Sequence, residues 1–166
     1  MRNNVVKCGL KAIALLILLT HCTLAYAQTR VLTEPVFVSL RSNEVNLRTG
    51  PGMQYPIEWI YKRRDMPVKV VEEFDLWKKI EDWEGTSGWV HQRMISSRRY
   101  GLILQETDMM RTSDKDSKVI AIIRPDVVAK IISCTKNSSF CRVEAKGKHG
   151  FIPRETIWGL LPDEKI

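Results

Sequence analysis

The chain has 166 residues, with 26 Lys/Arg against 19 Asp/Glu for a formal charge of +7; it is 44% hydrophobic and 27% charged. That balance is ordinary for a globular protein and excludes a disordered or fibrous chain. The length leaves no room for a large multidomain enzyme but admits two very small domains.

Residues 1–27 read as a segment that is removed. Arg2, Lys7 and Lys11 form a basic start without an acid, Ala12–Leu19 is a continuous apolar run, and Ala25-Tyr26-Ala27 closes it. These features predict a secretory signal peptide cut between Ala27 and Gln28. A membrane anchor is the competing reading, but the run falls short of the roughly 20 apolar residues that span a bilayer, and His21 interrupts it. A lipid-modified Cys22 is disfavoured by His21 directly before it. Removing 27 residues and three cations leaves 139 residues, with 23 Lys/Arg against 19 Asp/Glu, and no predicted membrane span.

After a lead-in over 28–42, short strands are predicted. Val45 and Leu47 alternate with Asn46 and Arg48, and Val68 and Val70 flank Lys69, the period of two that marks a half-buried strand. Trp77 and Ile80 follow, then the turn-rich Glu84-Gly85-Thr86-Ser87-Gly88, then Trp89-Val90. Only Ile57–Arg63 admits a helical reading.

The pattern then repeats at a spacing of 61–63 residues. Arg48-Thr49 returns as Arg111-Thr112, and Asp65–Val71 as Asp126–Ile132. Trp77–Glu81 matches Phe140–Glu144, and Gly88-Trp89-Val90 matches Gly150-Phe151-Ile152. Four anchors in one order indicate tandem duplication. Short strands spaced by turns within about 60 residues predict a small barrel for each copy, hence an all-β chain.

Val45-Asn46-Leu47-Arg48-Thr49-Gly50-Pro51-Gly52, then Tyr55, the short apolar strand Ile57-Glu58-Trp59-Ile60, a Trp77-to-Ile80 strand, Gly88-Trp89-Val90 and Ile95, resembles the bacterial SH3-like domain. The resemblance covers about 43–97 and implies two tandem SH3-like barrels, a first over 43–97 and a diverged second over 98–161, with a tail at 162–166. Gly50 and Gly52 are expected to supply backbone angles that only glycine takes cheaply. In the second copy Thr112–Lys115 replaces the Gly-Pro-Gly loop and phenylalanines replace both tryptophans, so that copy is expected to keep the barrel and lose the groove. Residues 28–97 hold ten cations, ten acids and eight aromatics, whereas 98–166 hold thirteen, nine and four.

Cys134 and Cys141 are the cysteines left after cleavage, and an isolated pair in an exported chain is expected to bridge, stapling the second unit by joining two strands across the loop 135–140. A metal site with His91 and His149 is the alternative; the spacing matches no common zinc pattern, and no metal or cofactor is expected. The motifs of phosphate loops, zinc proteases and serine hydrolases are absent from the sequence, so no catalytic activity is expected. Binding remains. Trp77 and Trp89, on strands, are expected in the core, while Tyr55, Trp59 and Trp83, near loops, are expected to stay partly exposed. With Asn46 and Arg48 they form the candidate ligand site, flat rings packing on the ligand and Arg48 pairing with a carboxylate. The resemblance implies peptidoglycan stem peptide as ligand. The alternative is a protein–protein adaptor, its partner an envelope protein or a host protein. The basic runs Lys62-Arg63-Arg64 and Arg98-Arg99 are read as solvated faces and linker, not as a nucleic-acid site.

Overall fold

A computed structural model describes residues 28–114, 116–136 and 138–166. The predicted signal segment, with its cleavage site after Ala27, lies outside the described residues. The rest forms two seven-stranded antiparallel sheets, one per repeat. The first contains β1 (Arg30–Leu40), β2 (Val45–Arg48), β3 (Ile57–Tyr61), β4 (Pro67–Phe74), β5 (Trp77–Glu81), β6 (Ser87–His91) and β7 (Ile95–Ser96), in the spatial order β3-β2-β6-β5-β4-β1-β7. The second contains β8 (Tyr100–Ile103), β9 (Thr107–Met110), β10 (Val119–Ile123), β11 (Val128–Cys134), β12 (Phe140–Ala145), β13 (Lys148–Pro153) and β14 (Ile157–Trp158), in the order β10-β9-β13-β12-β11-β8-β14. The orders correspond strand for strand, as a duplicated all-β architecture requires.

The alternation seen in the sequence sets which side chains turn inward. Val45 and Leu47 of β2 are buried while Asn46 and Arg48 are half-buried, and Val68 and Val70 join Leu40, Ile80 and Val90 in the first core. The second core gathers Ile103, Met109, Ile131, Val143 and Ile152. Backbone detail repeats as well. The Asp65 N–H donates to Leu40 O and the Leu40 N–H to Met66 O, each at 2.9 Å; Asp126, Ile103 and Val127 make the same two bonds at 2.9 Å. Both aspartates hold left-handed backbone, φ 61° and 63°, where a short polar side chain is tolerated better than most.

Of the two readings of Ile57–Arg63, the strand that the resemblance implies is realised and the helix is not: its first five residues are β3. Three sequence expectations change. The segment 28–42 is not merely a lead-in, because β1 pairs with both β4 and β7 and is integral to the first barrel. The anchor Arg48-Thr49 is one residue out. Arg48 pairs with Trp89 and Met110 with Phe151, so Met110, not Arg111, occupies the Arg48 position. Finally, the tail 162–166 is docked: Ile166 and Cys134 exchange backbone hydrogen bonds at 3.0 and 3.1 Å.

Cys134 and Cys141 are disulfide-bonded, with Cα atoms 4.5 Å apart. They are direct cross-strand partners of β11 and β12 and both are buried in the second core. Arg99, in the expected linker, forms an ion pair with Glu164 and donates to Gly159 O at 2.7 Å. Burial alone would raise the Glu164 carboxyl. The Arg99 hydrogen bond, the Leu161 N–H and the Arg99 and Arg154 charges outweigh it and hold the group below its ordinary value. The repeats touch through Phe37, whose ring stands edge-on to Trp158 at 5.0 Å, and through Arg63, which donates to Asp126 O. The two basic runs therefore supply structural contacts as well as surface charge.

Candidate ligand-binding face

The loop between β2 and β3 is tied down from within. The Arg48 guanidinium donates through Nη1 to Tyr55 O at 2.7 Å and to Met53 O at 3.2 Å. The Thr49 N–H donates to Pro56 O at 3.1 Å and the Tyr55 N–H to Gly52 O at 3.3 Å. Gly50 and Gly52 do not take left-handed angles, which corrects the expectation for them; the glycines with positive φ among the described residues are Gly85, Gly147 and Gly159. Gly50 is needed for contact instead. A Cβ there would lie 2.4 Å from the Tyr55 ring, closer than atoms approach, so the absence of a side chain lets the ring lie on the backbone.

Beyond the loop, β3 forms the edge of its sheet. Ile57, Glu58, Trp59 and Ile60 are all exposed, and only Tyr61 turns into the core. Trp59 is 56% exposed, Met53 71% and Tyr55 40%. The ladder has a bulge. Leu47 pairs with Trp59 and Arg48 with Ile57, leaving Glu58 as the extra residue. Trp59 shares the face of Tyr61 in the regular part of the ladder yet stays exposed, with no strand paired beyond it at the sheet edge.

The predicted site residues do not all converge. Arg48 and Tyr55 meet in the loop. Asn46 faces Ile60 while Trp59 faces Leu47, so Asn46 and Trp59 lie on opposite faces of the β2–β3 ladder. Trp83 is half-buried and packs on the first core. It follows Asp82, which accepts from the Tyr61 hydroxyl at 2.9 Å, and so stands near the Tyr61 end of β3 whereas Arg48 pairs at the Ile57 end. Trp77 and Trp89 are buried, as expected from their strand positions. His91 accepts through Nδ1 from the Arg93 N–H at 3.1 Å and stands edge-on to Trp77, and His149 is exposed on β13. Sequence reasoning overlooked Met53, Ile57 and Ile60. Their signal was the run Ile57-Glu58-Trp59-Ile60-Tyr61, too apolar to alternate yet too short for a buried helix.

Comparison with known proteins gives one family. The bacterial SH3 domain family matches the chain twice, over residues 41–97 and 105–159. Two solved structures are similar to it, NlpC2 and NlpC1 from Trichomonas vaginalis, at 12% and 11% identity with TM-scores of 0.35 and 0.34. They align with 76% and 80% of this chain, which spans about half of each of theirs, 49% and 46%. No curated protein matches the sequence.

Proposed function

The chain belongs to the bacterial SH3 domain family as a tandem pair, and on that premise we propose that it is an exported, non-catalytic binding protein whose first repeat holds peptidoglycan stem peptide. The observation that carries this reading is the open edge of β3, with Trp59 and Ile60 exposed on its two faces and Ile57, Met53 and Tyr55 exposed at its loop end. An edge strand offers unpaired backbone groups to an extended peptide, and neighbouring side chains select what lies along it. The exposed aliphatic and aromatic groups supply apolar contact area. Arg48 commits Nη1 to the loop and leaves Nη2 for a ligand carboxylate. Export is supported by the leader-like first 27 residues and by the disulfide, a bond that persists in oxidising compartments.

Co-sedimentation of residues 28–166 with purified peptidoglycan tests this. The parent is expected to pellet with the wall. Trp59→Ala is expected to weaken binding by ~1–2 kcal/mol, as loss of an aromatic anchor does, and Arg48→Ala to weaken it by releasing the Tyr55 loop. Ile122→Ala, on the second repeat, is expected to leave it unchanged. A parent that stays in the supernatant would overturn the wall reading and move the assignment to a protein partner held along the same edge.

A further inference from the structure

The strand-for-strand match makes differences between the repeats legible, and one of them opens a cavity. In the first repeat, one end of the barrel is closed by Tyr61, whose hydroxyl donates to Asp82; both are buried, and Trp83 packs on the same core. Register carries these positions across. Val45 faces Tyr61 as Thr107 faces Ile123, and Lys69 faces Glu81 as Lys130 faces Glu144, which makes Ala145 the counterpart of Asp82. The turn Trp83-Glu84-Gly85 is replaced by Lys146-Gly147. A phenol, a carboxylate and an indole have thus become a sec-butyl group, a methyl group and an ammonium. The space is not refilled. A hollow of about 360 Å³ lies there, floored by Met109, Ile123, Val127 and Ala145 and rimmed by Arg124, Lys146 and Lys148.

We propose that this hollow is a binding site for a small amphipathic anion, an aliphatic chain ending in a carboxylate. Its size falls at the lower end of the ~300–1,000 Å³ typical of small-molecule pockets. The lining has no aromatic ring on which a planar ligand would stack, and no side-chain amide or hydroxyl to pair with peptide groups. What it offers is aliphatic surface that lacks packing partners below three exposed cations. No carboxylate lines the hollow, and among the described residues none of the three cations forms an ion pair. The alkyl chain occupies the floor and the carboxylate sits among Arg124, Lys146 and Lys148. The site is independent of the β3 edge and stands or falls separately from the wall-binding reading.

Isothermal titration of the chain with octanoate, beside octanol, is the test. Octanoate is expected to bind and octanol to bind more weakly. Ile123→Tyr with Ala145→Asp restores the closure that the first repeat already accommodates, and is expected to weaken octanoate by about tenfold or more. Arg124→Ala with Lys146→Ala and Lys148→Ala changes only exposed residues, so it probes the same site if the closed variant fails to fold; it is expected to abolish the preference for octanoate over octanol. Absence of octanoate binding to the parent, equal affinity for octanol, or octanoate binding unaltered in the charge-removed variant would overturn the proposal.

Discussion

Burial of the Tyr61 phenol, its hydrogen bond to Asp82 and the charges of Asp82 and Glu84 all push its pKa upward, so the hydroxyl stays a donor across any pH at which the protein works. Asp82 is fully used in return, accepting through Oδ1 from the Glu84 and Thr86 N–H groups at 3.0 and 2.9 Å. The pair therefore closes the barrel end and organises the β5–β6 turn together. Tyr61→Phe keeps the ring but leaves Asp82 Oδ2 buried without its donor, and is expected to cost about 1–3 kcal/mol. Urea denaturation checks this; a variant as stable as the parent would contradict the role assigned to the pair. Gly50 illustrates a different residue-scale lesson. A glycine beside Pro51 suggests special backbone angles, yet the requirement comes from the Tyr55 ring lying against it, a contact that local sequence does not reveal.

At the scale of elements, local pattern was enough wherever a strand has one buried face. Val45 to Arg48 and Val68 to Val70 alternate in the sequence and alternate in burial. The repeat fixed most correspondences because its anchors are core residues and turns. It slipped at Arg111 since a β-ladder's register is set by pairing with Trp89 or Phe151, not by matching letters. Both β1 and the tail at Ile166 escaped a local reading for one reason: their partners, β4 with β7 and Cys134, lie far away in the chain. The disulfide was legible from cysteine count and the expected compartment, and it joins two strands across the 135–140 loop as the sequence predicts, its cysteines being facing residues of β11 and β12. Loss of so short a bridge is expected to destabilise the second repeat by roughly 2–3 kcal/mol on the chain-entropy model and to spare ligand binding at β3. Thermal melting and wall binding, with and without reductant, check both; binding lost on reduction while the first repeat stays folded would contradict it.

For the whole molecule, duplication has produced two barrels with one frame and different openings. The first keeps Tyr61, Asp82 and Trp83 at its end and exposes apolar groups along β3; the second has lost that closure and gained cations around a hollow. The sequence reading anticipated divergence and took it for loss of a groove. The hollow emerges only when strand register aligns Ile123 with Tyr61 and Ala145 with Asp82. Contacts such as Phe37 with Trp158, and Arg63 with Asp126, then join the copies. The five tryptophans are natural reporters on this division of labour, since Trp59 sits on the exposed β3 edge, Trp77 and Trp89 in the first core, Trp83 over the closed end and Trp158 at the contact between repeats. The most direct measurement is an NMR titration of the five indole N–H signals with a soluble peptidoglycan stem-peptide fragment. The Trp59 signal is expected to move most and Trp158 least; shifts centred on Trp158, or no shift at Trp59 when the fragment is saturating, would contradict binding at the β3 edge.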